Sequence, residues 1–346
     1  MRRLPENPVL RPADVPPSQP DFEVAGAFNA GVARAGDEVL LLLRVAERPR
    51  ERPRDAVVAP VWNPERGEIE TLAFRLDDPE LEAGDPRVFR HRGTLYLTSL
   101  SHLRLARSAD GVRFSVAPAP AIFPESATES FGIEDPRVTL ADGRYIVAYK
   151  TVSPHGIVSA LAETPDFKSF TRRGVILPPE TTNVAVFPER IAGAYVAWTR
   201  PSGRSAGPQS IWTARSPDLV HWGGHRPVLA PRPGAWDSAR VGAAGPPMRT
   251  PEGWLALYHG ADGSNRYSLG AALFAADDPA RVLARSEEPV LAPEAACETA
   301  GFFGNVVFSC GQDVRPDGRV VIYYGAADEY TCAAETTLDE MMASLA

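Results

Sequence analysis

The sequence predicts an all-β protein, a β-propeller with a short C-terminal helix, and two recurring patterns are the reason. The first pattern is a Gly or Asp-Gly turn followed by a short apolar or aromatic run, which is typical of a β-hairpin. It recurs at turns that contain Gly36, Gly93, Gly143, Gly193, Gly253 and Gly318. A period of roughly 50 residues indicates an array of similar supersecondary units.

The second pattern is a strand end with alanine, then a turn with aspartate, then an aromatic residue. It occurs in residues 106–114, 162–170 and 214–222, each time downstream of a glycine turn. The fixed order of the two patterns indicates units of three or four short strands joined by hairpin turns.

Units of this kind cannot cover both of their faces alone, so a radial arrangement that buries the faces closes them into a propeller. A β-sandwich with a second domain is the competing interpretation, and it does not explain the ordered pair of patterns. Only residues 337–345 have the pattern of a helix. The glycine turns give six candidate units, and residues 27–75 stay open as an incomplete unit or an elaboration.

The chain is predicted to form one catalytic propeller domain over residues 26–346, with residues 1–25 as an N-terminal arm. The first residues are rich in proline and charge, as surface arms often are. No low-complexity linker divides the rest of the chain.

Composition narrows the classes of function. The 346 residues carry 36 Lys and Arg against 44 Asp and Glu, a net charge of −8, which disfavours nucleic acid as a partner. No apolar run follows the N-terminus, so we expect a cytoplasmic protein with no membrane partner. Cys297, Cys310 and Cys332 match no zinc or redox spacing and are expected to be reduced thiols.

The starts of the units are candidate site residues because the loops entering the inner strands of a propeller converge on its channel. Asp135 stands out, since Glu134 adjoins it and Arg137 follows, so neighbouring charges can move its pKa either way. A carboxyl group in a narrow channel can act as a general acid. The alternative is a structural Asx-type turn paired with Arg137. Asp85-Pro86-Arg87 repeats the motif, and for that copy we expect a structural role.

Residues 236–240 and 258–260 combine aromatic and hydrogen-bonding groups, as sugar sites do. The alternatives are that Trp236 is a hydrophobic plug between units and that His259 is a satisfied, partly buried imidazole. The sequence contains no P-loop, dinucleotide glycine fingerprint, Ser-His-Asp order or zinc-binding His-Glu-x-x-His, so we expect neither cofactor nor metal.

Over nearly its whole length the chain resembles glycoside hydrolase family 130, the β-mannoside phosphorylases and related β-mannosidases. The ordered motifs that carry the resemblance are Phe28-Asn29-Ala30-Gly31, Leu43-Arg44, Gly132-Ile133-Glu134-Asp135-Pro136-Arg137, Phe187-Pro188-Glu189-Arg190, Arg200-Pro201, Trp236-Asp237-Ser238-Ala239-Arg240, Gly245-Pro246-Pro247, Tyr258-His259-Gly260, Asn305-Val306-Val307-Phe308 and Tyr323-Tyr324-Gly325-Ala326-Ala327-Asp328.

The resemblance implies a five-bladed propeller and an inverting cleavage of β-mannosidic linkages in short manno-oligosaccharides, with Asp135 as general acid. The residues it implies for sugar binding are Asn29, Arg44, Arg137, Asp237, His259 and Asp328. In phosphorylase members inorganic phosphate is the co-substrate and attacks the anomeric carbon. The residues that resemble its binding site are Arg44 and Arg200, with Arg240 as a third.

The chain departs from the phosphorylase pattern at Thr182 and Thr199, where a Lys or Arg and a His are usual. Fewer cationic or donor groups weaken a site for a dianion. Water as the nucleophile would need a carboxylate base roughly 6.5 to 9.5 Å from the acid, and Glu298 and Glu189 are the candidates. The sequence therefore favours hydrolysis slightly over phosphorolysis, which would release mannose 1-phosphate.

A non-catalytic sugar-binding propeller is a further alternative. A protein-interaction propeller of the WD or kelch type is disfavoured because the signatures of those repeats are absent. The sequence leaves open the linkage, the acceptor sugar and whether the chain forms a homo-oligomer.

Overall fold

The fold is built almost entirely from β-strands, in a computed structural model that describes residues 1–203 and 207–345. The chain begins with a two-residue strand, β1 (Arg2–Arg3). The first two strands of sheet 1 follow, β2 (Phe22–Ala35) and β3 (Glu38–Pro49). An insertion, residues 50–99, then forms a hairpin and a three-stranded sheet from β4 (Ala56–Asn63), β5 (Glu68–Arg75), β6 (Leu81–Asp85), β7 (Val88–His91) and β8 (Thr94–Leu97). Sheet 1 is completed by β9 (Leu100–Ser108) and β10 (Ser115–Val116).

Sheets 2 and 3 are each built from four consecutive antiparallel strands. The strands of sheet 2 are β11 (Ile133–Ala141), β12 (Arg144–Ser153), β13 (Gly156–Thr164) and β14 (Thr171–Leu177). The strands of sheet 3 are β15 (Thr181–Val186), β16 (Tyr195–Pro201), β17 (Ile211–Ser216) and β18 (Gly223–Leu229).

Sheet 4 has five strands, and sheet 5 combines three strands from the end of the chain with β1. The strands of sheet 4 are β19 (Arg240–Ala243), β20 (Met248–Thr250), β21 (Gly253–Ala261), β22 (Tyr267–Phe274) and β23 (Val282–Arg285). Those of sheet 5 are β24 (Val307–Val314), β25 (Arg319–Ala326) and β26 (Tyr330–Thr337). The helices are short: α1 (Ala296–Thr299), α2 (Leu338–Ala343) and the 3-10 turns Pro12–Asp14 and Ala127–Glu129.

Five apolar cores join the five sheets in order. Separate buried clusters lie between sheets 1 and 2, 2 and 3, 3 and 4, 4 and 5, and finally 5 and 1. The first strands meet at the centre, where β2 contacts β24 and β11, and β15 contacts β11 and β19. Both faces of most sheets are therefore buried against a neighbour, which is why their strands carry continuous apolar runs rather than strict alternation.

The six glycine turns predicted six units, but only five of these turns belong to the five main sheets. Five of them lie between the first strand of a sheet and the long strand that pairs with it, and they contain Gly36, Gly143, Gly193, Gly253 and Gly318. The Gly93 unit is the candidate that is wrong, because Gly93 lies between β7 and β8 of the insertion. Of the open segment 27–75, residues 27–49 belong to β2 and β3 of sheet 1 and residues 50–75 to the insertion. A glycine turn with positive φ marks any tight hairpin, so it cannot distinguish a repeated sheet from an inserted one.

The second pattern forms the turn from the third to the fourth strand of sheets 1, 2 and 3. In each copy an aspartate carboxylate accepts a hydrogen bond from the backbone N–H two residues later, as Asp110, Asp166 and Asp218 do. A serine or threonine two residues earlier accepts a further N–H in the same turn. The pattern recurs in the sequence because each of these three turns is held by the same local hydrogen bonds.

Both chain ends pack on the sheets. β1 pairs with β26, and Leu10 and Val15, from residues 1–25, lie in the core between sheets 5 and 1. The C-terminal helix predicted from the sequence is α2, capped by the Thr337 side chain, which accepts the N–H of Glu340. In the described part of the chain, no helix is long and apolar enough to cross a bilayer.

Candidate active site

In each of sheets 1, 2 and 3, one polar residue of the first strand adopts the same left-handed backbone conformation. Asn29, Asp135 and Asn183 lie in the first strands with φ angles of 48°, 50° and 53°. Asn and Asp tolerate this left-handed conformation better than most other side chains. Each lies in a β-bulge, where two residues of the first strand face one residue of the second. The bulge re-aims the side chain, and all three line one cavity.

The second strands of these sheets contribute one cation each, opposite the residue before the bulge: Arg44, Lys150 and Arg200. At the distance from the turn glycine that Lys150 and Arg200 share, sheets 4 and 5 carry Gly260 and Gly325. A Cβ on Gly325 would collide with Oδ1 of Asn29, so sheet 5 has no room for a side chain at this position. Three cations therefore converge on the cavity from sheets 1, 2 and 3.

The six side chains just described line the inner cavity, whose volume is about 140 Å³. The rest of its lining comes from Arg87, Tyr267, Phe303, Val306, Phe308 and Asp328. An outer cavity of about 210 Å³ adjoins it and is lined partly by the insertion. The residues common to both cavities are Arg44, Arg87, Lys150 and Asp328. Together they form a concave, mainly polar site of the kind that binds a small polar ligand.

Asp135 and Glu134 form a network with two cations. Oδ1 of Asp135 accepts hydrogen bonds from Asn29 at 2.9 Å and from Arg44 at 3.1 Å, and Oδ2 lies 3.2 Å from Nζ of Lys150. Glu134 engages the same cations, at 2.8 Å from Arg44 and 2.5 Å from Lys150. The Asp135 carboxyl group is buried and is fixed by contacts from sheets 1 and 2.

Burial raises the pKa of Asp135, but the donors around it outweigh burial and hold the pKa below the ordinary value of an aspartate. The groups that lower it are Lys150, Arg44, the amide of Asn29 and Arg137. In the empty site Asp135 is therefore a carboxylate.

Arg200 differs from the other cations because it has no acidic partner within the described residues. Its Nη1 lies 3.2 Å from Nε2 of His259, and its Nε is buried without a hydrogen-bond partner. Burial lowers the pKa of Arg200 to about 10. A buried guanidinium with unused donors is a site that an anion would complete.

His259 lies behind this cation and does not line the cavity. Its Nε2 accepts a hydrogen bond from Nη1 of Arg200 and another, at 3.2 Å, from the side-chain amide of Asn183. Nε2 is the acceptor because Arg200 can only donate. Burial and the charges of Arg200 and Arg137 hold the pKa of His259 well below its ordinary range. The ring is therefore neutral at neutral pH and orients its two neighbours.

Asp328 also lines the inner cavity. Its Oδ2 is 3.3 Å from Nη1 of Arg87, and its φ of 54° continues the series of left-handed polar residues. Burial raises the pKa of Asp328, against the opposing influence of Arg44 and Arg87. Asp328 can therefore hold a proton more readily than Asp135 does.

Two predicted sugar ligands are structural in this arrangement. Arg137 donates to the carbonyls of Asp135, Ala243 and Ala244, so it clamps sheet 2 to sheet 4 and does not reach the cavity. Asp237 is fully buried, and its oxygens are occupied by Arg232, Arg285 and the hydroxyl of Tyr258. Residue type alone did not distinguish a buried ion pair from a sugar contact.

Neither candidate base lies in the cavity. Glu298 accepts hydrogen bonds from Arg3, Tyr324 and the N–H groups of residues 294 and 295, all outside the site. Glu189 is exposed in the segment between β15 and β16. The positions that departed from the phosphorylase pattern are also buried: Thr182 bonds to the Arg200 carbonyl, and the hydroxyl of Thr199 has no partner.

Arg240, the third predicted phosphate ligand, does not line the cavity but contacts a residue that does. Its Nε donates to the hydroxyl of Tyr267 at 2.6 Å, and Tyr267 lines the cavity. Arg240 therefore orients Tyr267 and adds positive charge near Arg200, whose pKa it helps to lower.

Sequence reasoning missed Lys150, Arg87, Asn183 and Tyr267 as site residues. Lys150 offered a signal, since aligning the turn glycines places it at the position of Arg200. It supplies a cation that the threonines at 182 and 199 do not. Arg87 was predicted to be structural, yet it lines both cavities.

The one cluster of potential metal ligands in the described residues lies in the insertion, away from the cavity: Asp78, Glu80 and His91. His91 bonds to Asp78 and Arg92 pairs with Glu80, so the cluster already has internal partners.

Comparisons with known proteins identify the family of this chain. The model of glycoside hydrolase family 130, described as beta-1,4-mannooligosaccharide phosphorylase, matches residues 86–346. The chain is 46% identical over 347 residues to Beta-1,2-mannobiose phosphorylase of Listeria innocua serovar 6a, covering 99% of this chain and 98% of that protein. It is 40% identical over 232 residues to 1,2-beta-oligomannan phosphorylase of a Thermoanaerobacter species, covering 66% of this chain and 76% of that protein.

A solved structure of Beta-1,2-Mannobiose phosphorylase from Listeria innocua, in complex with beta-1,2-mannobiose, superposes with a TM-score of 0.96 at 46% identity. The match covers 99% of this chain and 98% of that chain. Because the family model spans most of the sequence and a relative is similar over its full length, the chain belongs to glycoside hydrolase family 130 and is a carbohydrate-active enzyme of that family.

Proposed function

We propose that this enzyme cleaves β-1,2-linked manno-oligosaccharides by phosphorolysis, releasing α-mannose 1-phosphate and a shortened sugar. The observation that carries the proposal is Arg200, a cavity cation with unused donors and no acidic partner among the described residues. The names of the relatives support the same choice, since both curated relatives described above are mannoside phosphorylases. The slight preference for hydrolysis drawn from the sequence loses its support, because neither Glu298 nor Glu189 lines the cavity.

In this reaction a phosphate oxygen forms a bond to the anomeric carbon as the bond from that carbon to the glycosidic oxygen breaks. Attack from the face opposite the leaving oxygen inverts the configuration. The leaving oxygen takes a proton from Asp135, and phosphate supplies the nucleophile, so no protein base is needed. Inorganic phosphate is the only co-substrate of the proposed reaction.

Binding of phosphate also prepares the acid. In the empty site the cations keep Asp135 ionised. A dianion near Arg200 offsets part of the positive field and raises the pKa of Asp135, so that the carboxyl group can hold the proton it must give. Asn29, Arg44 and Asp328 surround the mannosyl ring in this proposal, since all three line the inner cavity beside Asp135.

We also propose that the five sheets are the blades of a five-bladed propeller, with the active site where their first strands meet. The cyclic order of the five cores supports this arrangement. The catalytic domain would then use residues 1–25 as part of its wall, since β1 pairs in sheet 5.

The test is to incubate the purified protein with β-1,2- and β-1,4-mannobiose, each with and without inorganic phosphate. We expect mannose 1-phosphate from the β-1,2 substrate only when phosphate is present. Free mannose alone, at a rate independent of phosphate, would replace phosphorolysis with hydrolysis. Binding of mannobiose without cleavage under either condition would instead identify a sugar-binding protein without catalysis.

A further inference from the structure

Two of the three cysteines lie in contact with each other. Sγ of Cys297, in α1, is 3.8 Å from Sγ of Cys332, in β26, and both are free thiols. Cys332 is fully buried in the core between sheets 4 and 5, and Cys297 packs on that core while staying partly exposed. The third cysteine, Cys310, is buried in a different apolar cluster. The sequence did not reveal the pair, because β24 and β25 separate the two residues along the chain.

The contact between the two sulfurs favours one covalent modification. Two thiols held together by the fold react with each other at a high effective concentration, so an internal disulfide forms in preference to a bond with an outside thiol. The sulfurs of a disulfide are about 2 Å apart. Closing it therefore requires the sulfurs to approach by roughly 1.8 Å from their separation of 3.8 Å.

The approach falls on α1 rather than on β26. β26 is hydrogen-bonded to β25 on one side and to β1 on the other, so a shift of Cys332 would break backbone pairing. α1 is a single turn of four residues, Ala296–Thr299, and the Glu298 side chain binds it to Arg3 and Tyr324. Side chains of this length can follow a small displacement of the turn.

Backbone hydrogen bonds link α1 to the wall of the inner cavity. The carbonyl oxygen of Glu298 accepts the N–H of Val306 at 3.0 Å, and Val306 lines the cavity. The carbonyl oxygen of Asn305 accepts the N–H of Tyr267 at 3.0 Å, and Tyr267 lines the cavity as well. Phe303, another lining residue, lies in the same segment between α1 and β24. A displacement of α1 is therefore transmitted to one wall of the cavity.

Exposure decides which thiol is oxidised first. Burial raises the pKa of the Cys332 thiol, so this thiol stays protonated and unreactive toward outside reagents. Cys297 is partly exposed and can be reached. With hydrogen peroxide as the oxidant, the Cys297 sulfur bonds to one peroxide oxygen and the O–O bond breaks, which gives a sulfenic acid and one water.

The second step closes the disulfide. The Cys332 sulfur attacks the sulfenic sulfur of Cys297, the S–O bond breaks, and the Cys332 proton leaves with the hydroxide as a second water. In total two thiols are oxidised to one disulfide, and one hydrogen peroxide is reduced to two waters. A dithiol reductant reverses the change by thiol–disulfide exchange.

We propose that Cys297 and Cys332 are a peroxide-sensitive modification site whose disulfide draws α1 toward β26 and slows turnover in the inner cavity. Misplacing a substrate-positioning group by about 1 Å can cost about a hundredfold in rate, so a fall of about tenfold or more is expected when the wall moves. The disulfide itself is independent of the reaction catalysed. Only its effect on turnover rests on the phosphorolysis proposed above.

The test treats fully reduced protein with hydrogen peroxide and measures three properties. Mass spectrometry without reductant should find a peptide that joins residues 297 and 332. Amide hydrogen exchange of the peptide containing Val306 should become several-fold faster, because the hydrogen bond to the Glu298 carbonyl is weakened. Release of mannose 1-phosphate from β-1,2-mannobiose should fall about tenfold or more. Dithiothreitol should restore all three properties.

Two variants separate the disulfide from other oxidation. Cys297→Ser cannot form the disulfide, so peroxide should leave its amide exchange and turnover as they were before treatment. The matched control is Cys310→Ala, which removes a buried cysteine outside the pair and should respond to peroxide as the wild type does. Each variant is compared with its own untreated sample, so a change in its basal activity does not affect the result.

The inference is overturned if peroxide-treated wild type contains no peptide joining residues 297 and 332. It is also overturned if the joined peptide forms while amide exchange and turnover stay unchanged, since α1 then transmits nothing to the cavity. An equal loss of turnover in Cys297→Ser has the same effect, because the loss then comes from another residue. If reduced wild type releases no mannose 1-phosphate, phosphorolysis fails, and the peptide and exchange measurements still decide the present inference.

Discussion

The charged groups on the two sides of the inner cavity differ in whether they have partners of opposite charge. On one side Glu134 and Asp135 share the cations Arg44 and Lys150, so that two negative and two positive groups balance at contact distance. Such a network is rigid and needs no ligand to complete it.

On the other side Arg200 is held only by neutral groups. Its neighbour His259 is uncharged and also accepts a hydrogen bond from Asn183. No carboxylate in the described residues pairs with Arg200. Under the proposed phosphorolysis, the balanced side positions the proton donor and the unbalanced side binds the phosphate. Each prediction below removes one part of this contrast.

The largest effect is expected for Asp135→Asn. The amide keeps the shape of the side chain but cannot donate a proton to the leaving oxygen, so kcat for mannose 1-phosphate release should fall about 10²- to 10⁴-fold. Product release at saturating mannobiose and phosphate measures this, with thermal unfolding as a check of folding. Activity within a few-fold of wild type would remove Asp135 from the proposed role.

Arg200→Gln should act on phosphate rather than on sugar. Losing a charge-assisted contact with the dianion should raise the KM for phosphate about tenfold to a hundredfold. The KM for mannobiose should stay within about twofold, since no sugar contact is lost. Arg226→Gln, in the same sheet and exposed beside Asp278, is the matched control. Equal rises in both KM values would instead place Arg200 against the sugar.

Glu134→Gln should change the pH dependence. The negative charge of Glu134 favours the protonated form of Asp135, so removing it lowers the pKa of Asp135 further. The acid then loses its proton at lower pH, and the alkaline limb of kcat, measured at saturating phosphate and mannobiose, should move down by about one pH unit. Glu163→Gln removes a carboxylate from the same sheet, where it pairs with Arg144 and Arg173 outside the site. Its pH profile should match the wild type; an unmoved limb in Glu134→Gln would separate Glu134 from the acid.

The smallest effect on catalysis is expected for Asp237→Asn. This change weakens a buried carboxylate with two arginine partners, so the free energy of unfolding should fall by about 3 kcal/mol. The KM values for phosphate and mannobiose should not change, because Asp237 lies outside the cavity. Denaturant unfolding and steady-state kinetics together check this, and a selective rise in the mannobiose KM would return Asp237 to the sugar site.

The sequence predicted the all-β class because hairpin turns and their capping residues are local features. It could not distinguish the Gly93 hairpin of the insertion from the turns of the five sheets, since both satisfy the same backbone requirement. Only pairing across the sheet does so, with β3 bonding to β9 over the insertion.

The candidate site was predicted in part. Asn29, Arg44, Asp135, Arg200 and Asp328 line the inner cavity as expected. The remaining expectations failed to reach the cavity because residue type does not give the direction of a side chain. Arg137, Asp237 and Glu298 have polar partners away from the cavity. His259 and Arg240 do not line the cavity themselves but hydrogen-bond to residues that do. Lys150 was missed because a single lysine in an apolar strand reads as an exposed position until its register with Glu134 is known.

The pairing of β1 with β26 has a consequence for folding kinetics. Arg2 and Arg3 pair with Glu335 and Ala334, and Arg2 is separated from Glu335 by 333 positions in the sequence. Contacts of such high sequence separation form slowly, because a long stretch of chain must first be closed into a loop. Pairing of β1 with β26 should therefore be a late step when the unfolded chain refolds.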